Sequence, residues 1–130
     1  MKRILVAVLC WSLVCAWGEA RTDEVPDLSR KALACYRSGD MAGFRDFTLL
    51  LTRLKPRNLN FRYNLACGYA LNGQAREAAA TLERLLHEGT GWAAETDPDF
   101  DSIRQTADFQ RVMQTLGTLK VPVCTSTVAF

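Results

Sequence analysis

The stretch Phe61–Glu88, FRYNLACGYALNGQAREAAATLERLLHE, determines the fold predicted for this chain. Apolar residues recur in its first half at spacings of three and four, which is the pattern of one face of an α-helix. Asn72-Gly73 interrupts the pattern, because glycine tolerates the positive φ at which many helices end. The apolar spacing resumes at Ala78 and is expected to end at Gly89. The stretch is therefore predicted to be two helices joined by a short turn and folded back on each other.

The same layout occurs one unit earlier in the chain. Gly39 corresponds to Gly73 and Ala32 to Ala66, each pair at a separation of about 34 residues. Pro56 marks the end of the earlier unit, because the residue before a proline avoids helical backbone angles. A period of about 34 residues in helix–turn–helix units is the spacing of tetratricopeptide repeats.

Over roughly residues 25–89 the chain resembles the tetratricopeptide repeat family. The second unit matches the family's consensus positions at Leu65, Tyr69, Ala78, Leu82 and Leu85. It departs from the pattern at Arg62 and Ala66, where the family has tryptophan and glycine. The first unit departs at Cys35 and Phe44, where an aromatic residue and alanine are usual. The resemblance implies hairpins that bury their apolar faces by stacking on a neighbour, and about three units are normally required.

These observations predict an all-α fold, with two repeat-like helix–turn–helix units, a short C-terminal capping helical segment and an extended tail. The predicted divisions are a signal peptide at 1–20, a polar lead-in at 21–26, a helical domain at 27–117 and the tail at 118–130. Within the domain, the units are expected at about 25–58 and 59–89, and the cap at 90–117.

Single residues indicate where the helices of the two units begin and end. Pro26 or Asp27 is expected to begin the first helix, and Gly39 to end it. Asp40 and Asn58 are expected to begin the second and third helices, because their side chains can accept hydrogen bonds from free backbone N–H groups.

The cap is predicted from two further helix starts. Asp97-Pro98 combines a favoured N-cap residue with a favoured first helical residue. Thr106 is expected to begin a last helix that ends at Gly117. Asp97 and the acidic residues that follow it also fit some positions of a calcium-binding loop, but Ser102 stands where that loop requires glycine. Acidic capping of a helix start is the preferred interpretation.

Residues 1–20 have the pattern of a secretory signal. Lys2 and Arg3 precede the uncharged apolar run Ile4–Gly18, and small residues follow. The run is shorter than the roughly 20 residues that span a bilayer. Cleavage near Ala20 is therefore predicted, which places the protein in the periplasm or outside the cell, without stable membrane insertion.

Residues 121–130, VPVCTSTVAF, alternate in the manner of a strand. They form either a loose tail or the beginning of another domain. The whole layout resembles the amino-terminal part of envelope proteins in which such repeats precede a senescence-marker/gluconolactonase-like β-propeller. No propeller residues are present, so no lactonase site is carried over.

The charge composition bears on the kind of partner. The chain has 16 basic and 14 acidic residues, for a net charge of +2. This near balance argues against a dedicated nucleic-acid binder. The charge is uneven, since residues 30–62 are mainly basic and residues 77–108 mainly acidic. Either these are solvated helix faces, or the basic region meets an acidic partner or an anionic surface.

Sequence patterns of catalysis are lacking. His87 is the only histidine, and there is no CxxC, glycine-rich phosphate loop or GxSxG motif. We therefore expect no enzyme activity, no cofactor and no metal site. Cys35 and Cys67 would lie on the first helices of neighbouring repeats in the fold that the resemblance implies, so a disulfide between them is possible in an oxidising compartment. The alternative is that both are small packing residues.

The resemblance also implies a concave groove lined by the first helix of each unit. Its residues here would be Ser29, Leu33, Tyr36, Tyr63, Asn64, Cys67 and Leu71. Asn64 matches one asparagine of the clamp with which some family members grip a carboxylate. Ser29 and Leu33 stand where the clamp needs lysine and asparagine. Tyr36 and Tyr63 could instead contact an extended peptide, or serve as half-buried packing residues.

The function predicted from the sequence is an exported interaction module that binds a protein or peptide and has no catalysis of its own. The alternative is an N-terminal scaffold or docking segment of a larger gluconolactonase-like β-propeller protein.

Overall fold

A computed structural model of the chain describes residues 24–119, which form helices joined by short turns. The helices are α1 (Glu24–Ser38), α2 (Met41–Leu54), α3 (Leu59–Leu71), α4 (Ala75–His87), the 3₁₀ segments η1 (Trp92–Glu95) and η2 (Pro98–Ile103), and α5 (Ala107–Leu119). The predicted all-α fold is confirmed. The predicted signal peptide and residues 120–130 of the predicted tail lie outside the described residues.

Successive helices pack against one another along the chain. α1 lies on α2, α2 on α3, and α3 on α4. The segment after α4 continues this order irregularly, since η2 packs on α3 while α5 packs on α4. We call residues 92–119 the cap segment, because they cover the face of the α3–α4 hairpin that would otherwise face solvent. Within residues 24–119, no helix combines the length and the apolar character needed to cross a membrane.

Three glycines end helices in the same way. Gly39, Gly73 and Gly89 have φ values of 82°, 70° and 77°. The residue after each glycine donates its backbone N–H to a carbonyl five positions back, over 2.9, 2.9 and 3.0 Å. This is the hydrogen bond of a Schellman motif, which satisfies carbonyls that the helix end leaves free. The helix ends predicted at Gly39, Gly73 and Gly89 are thus confirmed.

The predicted helix starts are also confirmed in three places. Asp40 accepts a hydrogen bond from the backbone N–H of Gly43, and Asn58 accepts one from Phe61. Asp97 accepts one from Asp99 over 3.0 Å. Each side chain satisfies one backbone donor that has no partner within its helix.

The core combines small residues between α3 and its neighbours with large residues from the cap segment. Gly68 permits the closest approach: a β-carbon there would lie 2.9 Å from the Cα of Arg45 in α2. Phe100 and Phe109 are fully buried, with stacked rings whose centroids are 5.7 Å apart. The other large, fully buried apolar side chains are Leu82, Leu85, Ile103, Val112 and Leu116. Much of the apolar core therefore comes from the cap segment.

Two predicted boundaries are wrong. The chain is already helical at Glu24, inside the predicted lead-in. Pro26 lies in the first turn of this helix, where backbone N–H groups have no acceptor within the helix, so the N–H that proline lacks is not needed there. Val25 packs against the core and so favours this earlier start.

At the other end of the described residues, α5 continues through Gly117 to Leu119. One interior glycine costs only about 1 kcal/mol relative to alanine, and the neighbouring Leu116 is buried.

Gly68 and Gly117, each within a helix, provide a matched test of helix packing. Gly68→Ala should destabilise the fold by about 1–3 kcal/mol, because the added methyl group meets the backbone of α2. Gly117→Ala should stabilise it by up to about 1 kcal/mol, because nothing lies within 4 Å of the added methyl group. Urea unfolding followed by circular dichroism measures both changes. Stabilisation by Gly68→Ala would show that α2 and α3 are not in close contact there.

Candidate functional site

A cavity of about 230 Å³ opens between α1, α2, α3 and the start of η2. We call it the α1–α3 cavity. Its apolar part is formed by Ala32, Phe44, Leu51 and Phe61. The polar groups along it are Ser29, Tyr36, Thr48, Asn64 and Asp99, and Leu33 completes the lining. The deep side chains are buried, whereas Leu33 and Tyr36 are 47% and 38% exposed. The cavity is thus accessible from solvent.

The sequence-predicted groove residues fall into two groups. Ser29, Leu33, Tyr36 and Asn64 line the α1–α3 cavity. Tyr63 and Cys67 instead lie beside Asp97 of the cap segment, and Leu71 is half-buried against the core. The structure therefore brings four of the seven predicted residues to one accessible cavity. Asp99, the carboxylate in its wall, is the charged lining residue that the groove prediction missed.

Two tyrosines connect the repeat-like helices to the loop that begins η2. Tyr36 of α1 donates a hydrogen bond to Asp99 over 2.8 Å. Tyr63 of α3 donates one to Asp97 over 2.7 Å, and its ring meets that of Phe100 edge-on with centroids 6.0 Å apart. We call these four side chains the Tyr–Asp pairs. They hold the acidic side chains at fixed positions beside the cavity.

The environment of the Tyr–Asp pairs disfavours the ionised form of both tyrosines. Burial is the main cause that raises the pKa of Tyr63, and the hydrogen bond to Asp97 adds to it. For Tyr36 the hydrogen bond to Asp99 is the main cause of a raised pKa, followed by burial. Both phenols therefore remain protonated donors at neutral pH, which is the state that these hydrogen bonds require.

Cys67 lies next to the same two carboxylates. Its sulfur and one oxygen each from Asp97 and Asp99 lie within 4.8 Å of one another, a separation that could accommodate a metal ion. Burial, followed by the two negative charges, raises the pKa of Cys67 well above that of a free thiol. A protonated thiol is neither a good nucleophile nor a good ligand, and both carboxylates already accept tyrosine hydrogen bonds. In the structure these groups therefore take part in hydrogen bonds, with the thiol protonated.

The possible disulfide between Cys35 and Cys67 is not formed in the structure, because both thiols are free. Their neighbours differ. Cys35 lies near Gly43 at the turn between α1 and α2, where burial and a hydrogen bond with Asp40 raise its pKa. Cys67 lies beside the acidic residues of the cap segment.

The chain was compared with known protein families, curated proteins and solved structures, and none of them matches it.

The free energy of unfolding should fall as pH rises above about 9. The pKa values of Cys67 and Tyr63 are raised in the folded chain. Above their usual values of about 8.5 and about 10, the unfolded chain releases protons that the folded chain retains, which favours unfolding. Cys67 lowers the stability by up to about 1.4 kcal/mol per pH unit in this range. The effect of Tyr63 is smaller, because solvent around its half-buried side chain screens the interactions that raise its pKa.

Urea titrations between pH 7 and 11 measure this effect. Tyr63→Phe removes the phenol, so its stability should decline less steeply above pH 10 than that of the intact chain. Tyr69→Phe, which changes a tyrosine outside the Tyr–Asp pairs, is the control for loss of a phenol. Equal slopes for all three proteins would contradict the assigned environment of Tyr63.

Proposed function

We propose that this chain is an exported tetratricopeptide-type interaction module that binds a peptide segment of another protein in the α1–α3 cavity and has no catalysis of its own. The main supporting observation is the cavity itself: an accessible, largely apolar depression between the first helices of the two units, with polar groups along its edge. Such concave sites, with few but well-placed polar groups, are typical of ligand recognition.

The repeat-like backbone supports the type of module. The turns at Gly39 and Gly73 both have a positive φ and the same closing hydrogen bond, and they recur at a spacing of about 34 residues. Each turn reverses the chain between two helices of 13 to 15 residues. A helical hairpin repeated at this period is the unit from which tetratricopeptide arrays are built.

The size of the cavity supports an apolar side chain as its occupant. An apolar protein cavity of about 150 Å³ is known to accommodate benzene. The α1–α3 cavity, at about 230 Å³, has room for an aromatic or branched aliphatic side chain. When such a side chain fills the cavity, water is displaced from its deep surface, which includes Phe44 and Leu51, and apolar contacts replace it.

The edge of the cavity supports a peptide rather than a purely apolar ligand. Ser29 and Asn64 line the cavity, and within residues 24–119 neither side chain makes a hydrogen bond. A serine hydroxyl and an asparagine amide each donate and accept, so together they can satisfy the N–H and C=O groups of a peptide backbone. Polar groups at the edge and an apolar interior are the combination that binds an extended peptide through one anchoring side chain.

A random-peptide display selection against the purified chain tests this proposal. We expect enriched peptides that share an aromatic or aliphatic anchor and compete with one another for one site. Ser29→Trp places an indole at the mouth of the cavity and should reduce their affinity at least tenfold. The matched control is Ala34→Trp, because Ala34 is an exposed residue of the same helix that does not line the cavity.

Two results would contradict the proposal: no enrichment of any peptide, or equal binding of the enriched peptides to Ser29→Trp and Ala34→Trp. Tyr63→Ala is avoided, because Tyr63 also holds Asp97 and its loss would disturb the cap segment. Unfolding midpoints of both tryptophan variants establish that they are folded before binding is compared.

A further inference from the structure

Asp99 gives the α1–α3 cavity a negative charge that no cationic side chain offsets within residues 24–119. Its half-buried carboxylate lines the cavity and accepts the hydroxyl of Tyr36. Asp99 takes part in no ion pair within the described part of the chain. A tyrosine hydroxyl satisfies one lone pair of the carboxylate but does not neutralise its charge. A full negative charge therefore remains beside the apolar interior of the cavity.

The surroundings of Asp99 increase this negative potential. Asp97 lies close enough for oxygens of both carboxylates to fall within 4.8 Å of the Cys67 sulfur and of each other. Within the described residues, the carboxylate of Asp97 accepts only neutral donors, the hydroxyl of Tyr63 and the backbone N–H of Asp99. Two carboxylates held this close repel each other and would be stabilised by a cation.

Within residues 24–119, no cationic side chain of the adjoining elements pairs with Asp99. Arg104, at the end of η2, pairs with Asp101 and donates to the backbone carbonyls of Glu95 and Asp97. On α1, Arg30 and Lys31 both pair with Asp27. The residues that line the cavity include no lysine or arginine. The described part of the chain thus leaves Asp99 available to a cation supplied by a ligand.

We propose that the α1–α3 cavity selects a peptide with an apolar anchor side chain next to a lysine or arginine, whose cationic group pairs with Asp99. This inference rests on the proposed function and specifies the chemistry of its ligand. Apolar contact in the cavity provides binding that is common to many peptides, and the ion pair provides discrimination. An acidic peptide or a free carboxylate would meet two fixed negative charges instead.

Capped heptapeptide pools with a central phenylalanine test the proposed ligand. The remaining positions contain alanine and serine together with lysine in a basic pool, glutamine in a neutral pool, or glutamate in an acidic pool. Isothermal titration against the chain in low-salt buffer should give an affinity about tenfold higher for the basic pool than for the neutral pool, and lower still for the acidic pool. Added salt should reduce the advantage of the basic pool.

Asp99→Asn tests which residue recognises the cation. An asparagine oxygen can still accept from Tyr36, so the variant removes the charge while preserving the hydrogen bond. It should lower the affinity for the basic pool to that for the neutral pool. Glu77→Gln makes the same change of net charge at an exposed position of α4 and should retain the preference. An uncapped neutral pool distinguishes an amino-terminal ammonium group from a basic side chain.

The outcomes separate this inference from the proposed function. Equal affinity for the basic and neutral pools, a preference that survives in Asp99→Asn, or tight binding of the uncapped neutral pool alone would overturn the inference. In each of these cases, loss of binding in Ser29→Trp would still support the peptide site. Absence of binding by every pool would contradict both proposals.

Discussion

Attachment of the cap segment to α3 is the constraint on which the rest of the structure depends. Two stacked hairpins leave one face of α3 and α4 without a neighbour. The buried residues of α3 are mostly small and supply little apolar volume of their own. Phe100 and Phe109 supply the missing apolar volume. Tyr63 fixes the segment through Asp97, and the hydroxyl of Ser102 donates to the carbonyl of Ala70 over 2.8 Å at the end of α3. Apolar burial and directed hydrogen bonds therefore hold the same short segment.

The same attachment determines how much of the groove remains accessible. Tyr63 and Cys67 lie on the helix expected to line a concave surface, but the loop that begins η2 lies beside them. An accessible cavity remains between α1 and α3, where Ser29 and Asn64 lie at the edge. The cap segment also contributes Asp99 to that space. A segment that completes the core thus also supplies part of the candidate binding surface. The stability of the fold and the charge of the cavity wall therefore both depend on the cap segment.

Local signals in the sequence predicted much of the fold, but contacts between distant residues determined the site. Gly39, Gly73 and Asn58 act within one helical turn, so their roles could be inferred from neighbouring residues alone. The partner of Tyr36 is 63 residues away, and nothing in the local pattern joins it to Asp99. Asp99 had an evident local role as an acidic residue at a helix start, which concealed its position in the cavity wall. The end of α5 was mispredicted for the opposite reason: a glycine is only a weak stop signal when a buried neighbour favours continuation.

The position of Asp99 also supports the proposed discrimination between ligands. Phe100 is fully buried immediately after it, and Asp97 fixes its backbone N–H from the other side. The hydroxyl of Tyr36 orients the carboxylate, and the ring of Tyr36 is itself held edge-on against Phe44 with centroids 5.1 Å apart. A charge restrained in this way loses little conformational entropy when a ligand pairs with it, so more of the electrostatic attraction remains as binding free energy. A flexible surface carboxylate would lose much of that advantage to side-chain ordering. The buried residues of the cap segment thereby hold the polar wall of the cavity in a fixed position.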